Sequence, residues 1–141
     1  MPRERISRAD LPKLLIAEDT EANIELLDML LADHYFITYV EDGKSALDHV
    51  KLNTPDLIIL DVDMPLMNGL EVCSRMKKVS RLKAVPILIL TARMDDETRQ
   101  KALEYGADEF LNKPLSGKNI RQIVTQMIEK GRENRVLEPQ E

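Results

Sequence analysis

Four short runs of branched apolar residues, Leu14-Leu15-Ile16-Ala17, Phe36-Ile37-Thr38-Tyr39-Val40, Leu57-Ile58-Ile59-Leu60 and Ile87-Leu88-Ile89-Leu90, most constrain the fold of this chain. All four are short and nearly lack the polar alternation of a strand with one wet face. They read instead as strands of a parallel sheet covered on both sides. A weaker fifth run, Glu109-Phe110-Leu111-Asn112, follows a turn signal at Tyr105-Gly106-Ala107-Asp108. Helical periodicity fills the gaps. Ile24, Leu27, Leu30 and Leu31 share one face behind a cap at Asp19 or Thr20, and Ala46, Leu47 and Val50 mark a shorter helix after Gly43. Leu70, Cys73 and Met76 follow Asn68-Gly69. The next helix is expected over 94–105, with Asp95, Asp96 and Glu97 at its positive end and Gly106 closing it. Ser116 caps the last, whose apolar positions are Ile120, Ile123, Val124, Met127 and Ile128.

Strand then helix, five times, with short connections, predicts an α/β fold with a doubly wound five-stranded parallel sheet and right-handed crossovers. Its 141 residues suit one domain, expected at 13–130, between a flexible basic leader at 1–12 and a charged tail or truncated linker at 131–141. The leader doubles as a candidate partner-touching arm, and no apolar signal core follows it. No run reaches the ~20 apolar residues of a membrane span. The net charge of −5 argues against a nucleic-acid surface, and with two Phe, three Tyr and no Trp the core must be aliphatic. The single cysteine, Cys73, cannot form an internal disulfide; it reads as a core thiol and points to a cytoplasmic location.

In a doubly wound sheet the site lies at the carboxyl ends of the strands. Glu18 and Asp19 follow the first run, Asp61 the third, Thr91 the fourth, and Lys113-Pro114 the fifth. Glu41-Asp42 follow the second, an expected edge strand away from the site. Carboxylates that converge stay ionised only around a cation, and hard oxygen ligands at a loop edge suit Mg²⁺, with Mn²⁺ as a substitute. One Asp61 oxygen on the metal leaves the other free to attack phosphorus. Mg²⁺, the Lys113 ammonium and the Thr91 hydroxyl with nearby backbone N–H groups would then neutralise the equatorial oxygens of a phosphoryl group in transfer. Each feature alone is commonplace; their order at successive inner strand ends is not.

On "LLIAED", "PDLIILDVDMPLMNGLEV", "VPILILTA" and "GADEFLNKP" the chain resembles the receiver domain of bacterial response regulators, over roughly residues 13–130. The resemblance implies a flavodoxin-like fold and a two-component phosphorelay role. The domain would take a phosphoryl group from a sensor histidine kinase or a histidine phosphotransfer protein onto Asp61, without being an enzyme in its own right. It implies Glu18 and Asp19 as metal acids, Asp19 direct and Glu18 through water, with the backbone carbonyl of Asp63 as a further ligand beside Asp61. It makes Thr91 the switch hydroxyl, Phe110 the switch aromatic (or a static core ring), Lys113 the phosphate-facing lysine and Lys113–Pro114 a cis bond. Phosphorylation would alter the face of the fourth helix, fifth strand and fifth helix, to be read by a downstream protein, a fused output domain or a second copy as a homodimer.

The sequence departs from the family in having Glu18 where aspartate is commoner. Asp63 and Arg93, two residues past Asp61 and Thr91, are candidates for gating the hydrolytic water, or simply solvated charges. His34 and His49 neighbour no strand-end acid. Two other readings compete: a haloacid-dehalogenase-like phosphatase with Asp61 as nucleophile and Asp63 as general acid, and a scaffold receiver that is never phosphorylated. Against the phosphatase, Glu18-Asp19 precede the nucleophile strand and there is no room for substrate-selecting cap elements.

Overall fold

The computed structural model describes residues 10–92, 95–113 and 116–137. Five strands and five helices alternate: β1 (Lys13–Ala17), α1 (Glu21–Leu31), β2 (Phe36–Val40), α2 (Gly43–Leu52), β3 (Leu57–Asp61), α3 (Gly69–Lys77), β4 (Ile87–Thr91), α4 (Asp96–Glu104), β5 (Glu109–Asn112) and α5 (Gly117–Leu137). All pairings are parallel, in the order β2-β1-β3-β4-β5, so β2 is an edge strand as expected, but so is β5, and Lys113 follows an edge strand rather than an inner one.

The apolar runs fail to alternate because both faces of the inner strands are covered. Leu14 and Ile16 of β1, Leu57 and Ile59 of β3, and Leu88 and Leu90 of β4 pack beneath α1 and α5 with Leu27, Leu31, Ile120 and Val124. The intervening Leu15, Ala17, Ile58, Leu60, Ile87 and Ile89 face α2, α3 and α4 with Ala46, Val50, Val72, Cys73, Met76 and Ala102. Burying one such leucine or isoleucine contributes roughly 1.5–3 kcal/mol, so the inner strands are the anchor of the domain.

Helix ends follow local chemistry. Asp42, Asn68 and Asp95 accept hydrogen bonds from the backbone N–H groups of Ser45 (2.7 Å), Glu71 (3.0 Å) and Thr98 (2.7 Å), which starts α2, α3 and α4. Capping by Asp95 sets the first residue of α4 at Asp96, inside the expected 94–105 span, and Gly106 follows the helix at φ +95°. Thr20 occupies the N-cap position of α1 without a side-chain cap bond. The last helix runs past the expected boundary at Lys130 to Leu137, so the stretch expected as a tail begins as helix. Most of the expected leader lies outside the described residues.

Cys73 is fully buried, its thiol donating to the Tyr105 carbonyl at 3.5 Å, and burial pushes its pKa up to about 11. It is a core thiol, as expected. Among the described residues no helix is long and apolar enough to cross a membrane.

Candidate functional site

At the carboxyl edge of the sheet the chain has left its ladders but not its core. β1 delivers Glu18 to a fully buried position, its backbone N–H fixed to the Val40 carbonyl at 3.0 Å; Asp19 beside it is exposed. β3 ends on Asp61, 3% exposed, and the N–H of Asp63 turns back onto the Asp61 Oδ1 at 3.2 Å. Gly69 lets α3 begin against that strand end: a Cβ there would lie 2.2 Å from the Asp61 carbonyl oxygen.

One oxygen from each of Glu18, Asp19 and Asp61 falls within 4.8 Å of the others. β5 delivers Lys113, whose ammonium lies 3.2 Å from Glu18 Oε1 and 3.3 Å from Asp61 Oδ2. Asn23, in the first turns of α1, donates its amide to Glu18 Oε1 as well. Glu18 Oε2 is buried and has no hydrogen-bond partner among the described residues.

The electrostatics follow from this crowding. Burial, then the adjoining Asp61 carboxylate, pushes the Glu18 pKa up to about 7, against the pull of Asn23 and Lys113. For Lys113, burial works against the ammonium, yet Asp61 and Glu18 outweigh it and raise its pKa above the ordinary lysine value. One lysine thus stands against three clustered acids. The bare buried Oε2, the raised Glu18 pKa and the all-oxygen donor set mark a site short of positive charge, which fits a hard divalent cation.

Thr91 closes β4 at 1% exposure, and its carbonyl accepts from the Lys113 N–H at 2.8 Å, tying the end of β4 to β5. Phe110, half-buried on β5, carries the Arg99 guanidinium 4.9 Å above its ring centroid. Thr91, Phe110 and Arg99, with Ile89, Thr98 and Ala102, line a crevice that has no room for a water-sized sphere.

The structure therefore brings together Glu18, Asp19, Asp61 and Lys113 and sets Thr91 on the neighbouring strand end. Asp63 is exposed, and its backbone N–H is the group that donates to Asp61. Arg93, and with it the gating pair, lies outside the described residues, as does Pro114 and the expected cis bond. His34 and His49 contribute nothing to the cluster. Asn23 was not anticipated, although its spacing of four and eight residues from Leu27 and Leu31, the buried residues of α1, sets an amide on the inward face. Arg99 was missed too.

A family model described as the response regulator receiver domain matches residues 14–125. The chain belongs to that family. Response regulator PleD of Caulobacter vibrioides is 38% identical over 104 residues, which is 73% of this chain and 23% of that protein. The chain likewise spans less than half the length of several other curated relatives. Among solved structures, the signal receiver domain of a signal transduction histidine kinase from Syntrophus aciditrophicus is similar at TM-score 0.79 and 33% identity, covering 84% of this chain and 90% of that one. The receiver domain of sensor histidine kinase PA1611 from Pseudomonas aeruginosa, which has a magnesium ion coordinated in its active-site cleft, is similar at TM-score 0.79 and 25% identity, covering 84% and 98%. The five-stranded parallel sheet with its five helices is the flavodoxin-like receiver fold.

Proposed function

We propose that this receiver accepts a phosphoryl group on Asp61 from a histidine kinase or histidine phosphotransfer protein and passes the signal by protein contact. The observation that carries this reading is the convergence of Glu18, Asp19, Asp61 and Lys113 on one strand edge, with a buried carboxylate oxygen left bare. Glu18, Asp19, Asp61 and the Asp63 carbonyl would hold Mg²⁺, which when bound neutralises charge on the entering phosphoryl group. Mn²⁺ would serve the same donors.

An Asp61 oxygen attacks phosphorus; the O–P bond forms as the N–P bond to the donor's histidine breaks, and the imidazole retains its electron pair and takes a proton. Lys113, already within 3.3 Å of Asp61, moves its ammonium onto a phosphoryl oxygen. The Thr91 hydroxyl turns to another, and Phe110 shifts into the space left between them. That shift reshapes the face of α4, β5 and α5 for a downstream protein, a fused output domain or a second copy. The chain does no chemistry on other molecules in this scheme, only accepting the phosphoryl group and losing it to water.

The experiment is intact-mass measurement after incubation with acetyl phosphate, with and without Mg²⁺, on the wild type and Asp61→Asn. A Mg²⁺-dependent gain of one phosphoryl group, absent in the variant, is expected. Steady consumption of acetyl phosphate with no adduct would instead favour a phosphatase using Asp61 and Asp63. Neither adduct nor consumption would leave a scaffold.

A further inference from the structure

We infer that Asn23 is a positioning residue for the acid site: its side-chain amide holds Glu18 so that Oε2 faces the space shared with Asp19 and Asp61. The inference rests on the reading of that space as a divalent-cation site.

The two oxygens of Glu18 live in different surroundings. Oε1 accepts from the Asn23 amide and from Lys113 at 3.2 Å, whereas Oε2, equally buried, has no hydrogen-bond partner among the described residues. The backbone at Glu18 is fixed by its bond to the Val40 carbonyl, so the freedom that remains is in the side chain. Glutamate has one more rotatable bond than aspartate, and the extra reach lets it turn away from the cluster unless something clamps it.

Lys113 is a poor clamp. It divides its ammonium between Glu18 and Asp61, it sits on a flexible stem, and it is the group that must swing to an arriving phosphoryl oxygen. Once it swings, Asn23 is the described donor left on Oε1. A neutral amide also suits the task better than a cation would. It orients the carboxylate without contributing a positive charge that competes with a metal ion. Its carrier, α1, is anchored by the buried Leu27 and Leu31, so the amide stays in place while the β4 and β5 side of the site rearranges.

Partners that orient a ligating carboxylate in this way typically change metal affinity ten- to a hundredfold when lost. The test is isothermal titration of Mg²⁺ into the full chain for the wild type, Asn23→Leu, Asn23→Ser, Glu18→Gln and the double variant Glu18→Gln/Asn23→Leu. Asn23→Leu and Asn23→Ser should each weaken Mg²⁺ binding by about tenfold or more. The double variant should bind no more weakly than Glu18→Gln, because the amide acts only through Glu18. Thermal melts in EDTA report whether each variant is folded, and Asn23→Ser stands in should the leucine disturb α1. Wild-type affinity in a folded Asn23 variant would overturn the inference, as would an additive loss in the double variant. Failure of the wild type itself to bind Mg²⁺ would overturn the cation-site reading instead.

Discussion

The two halves of the strand edge are built on different physics. On the β1–β3 side, groups are held by charge. Glu18 and Asp61 are buried acids pulled onto one lysine, with an amide from α1 fixing one oxygen. On the β4–β5 side, groups are held by packing. Thr91 is buried at a strand end, Phe110 is half-buried, and Arg99, stacked on the Phe110 ring, lines the crevice with them. A charged cluster is costly while incompletely compensated and gains from an added cation; an apolar crevice is indifferent to charge and yields to small side-chain shifts. The first arrangement suits chemistry that needs fixed atoms, the second a part that moves. Lys113 belongs to both, since it follows β5 in sequence but points its ammonium into the acids.

Removing Lys113 should therefore separate the two halves most sharply. In Lys113→Ala the acids lose their one described cationic partner, so Mg²⁺ binding should hold or tighten. Phosphoryl transfer from acetyl phosphate should fall by on the order of a hundredfold, as expected when a donor to developing charge is lost. Calorimetry and intact mass on the same sample check both. Loss of Mg²⁺ binding together with phosphorylation would mean the lysine organises the acids rather than serving the phosphoryl group.

How much of this contrast was legible in the sequence depends on which half is considered. The acids and the lysine announce themselves because each ends a run of core residues, where a bare charge is out of place; Leu57 to Leu60 followed by Asp61 is the plainest case. Even β5, only four residues with both ends exposed, was readable from the turn before it. The far end of α5 was not, since the apolar stripe that marked the helix stops at Ile128 while the helix continues to Leu137. The contact of Arg99 with Phe110 was equally hidden: it joins α4 to β5, and neither residue carries a local signal of the other. Asn23 sits between these cases, visible as an amide on an inward helical face but with its partner known only once β1 and α1 are placed.

A smaller effect should come from pH, and it tests the charge-held half alone. The folded-state pKa of Glu18 is raised above its ordinary value to about 7, so folding favours the protonated form. Stability from this group is then full below the ordinary glutamate range. It is lost as pH rises through that range towards 7, and is flat above. In EDTA the wild type should lose stability progressively across this window, as the buried carboxyl is forced to ionise. Glu18→Gln should not lose it, so the difference between their denaturation midpoints should widen from pH 5 to pH 8. Saturating Mg²⁺ should shrink that difference. A gap constant with pH would show that Glu18 ionises freely in the fold.

The smallest effect, and the one that tests the packing-held half, concerns Arg99. A guanidinium over an aromatic face at a partly exposed site contributes about 0.5–1 kcal/mol. That energy matters to switching only if it differs between the resting and phosphorylated states. If Phe110 moves towards Thr91 on phosphorylation, it leaves the position in which Arg99 covers it, and the stacking energy opposes the change. Arg99→Ala should then ease activation. Binding of beryllofluoride, a phosphoryl mimic, in saturating Mg²⁺ should tighten by roughly two- to fivefold, the equivalent of that energy. Arg99→Lys keeps the charge but loses the flat stacking surface, so it should fall between the two. Followed by the amide resonances of β5, the same titrations report whether Phe110 moves at all. Equal affinities in all three proteins would mean that Arg99 follows the ring through the transition, and that the barrier on this side of the sheet lies elsewhere than in the stacked pair.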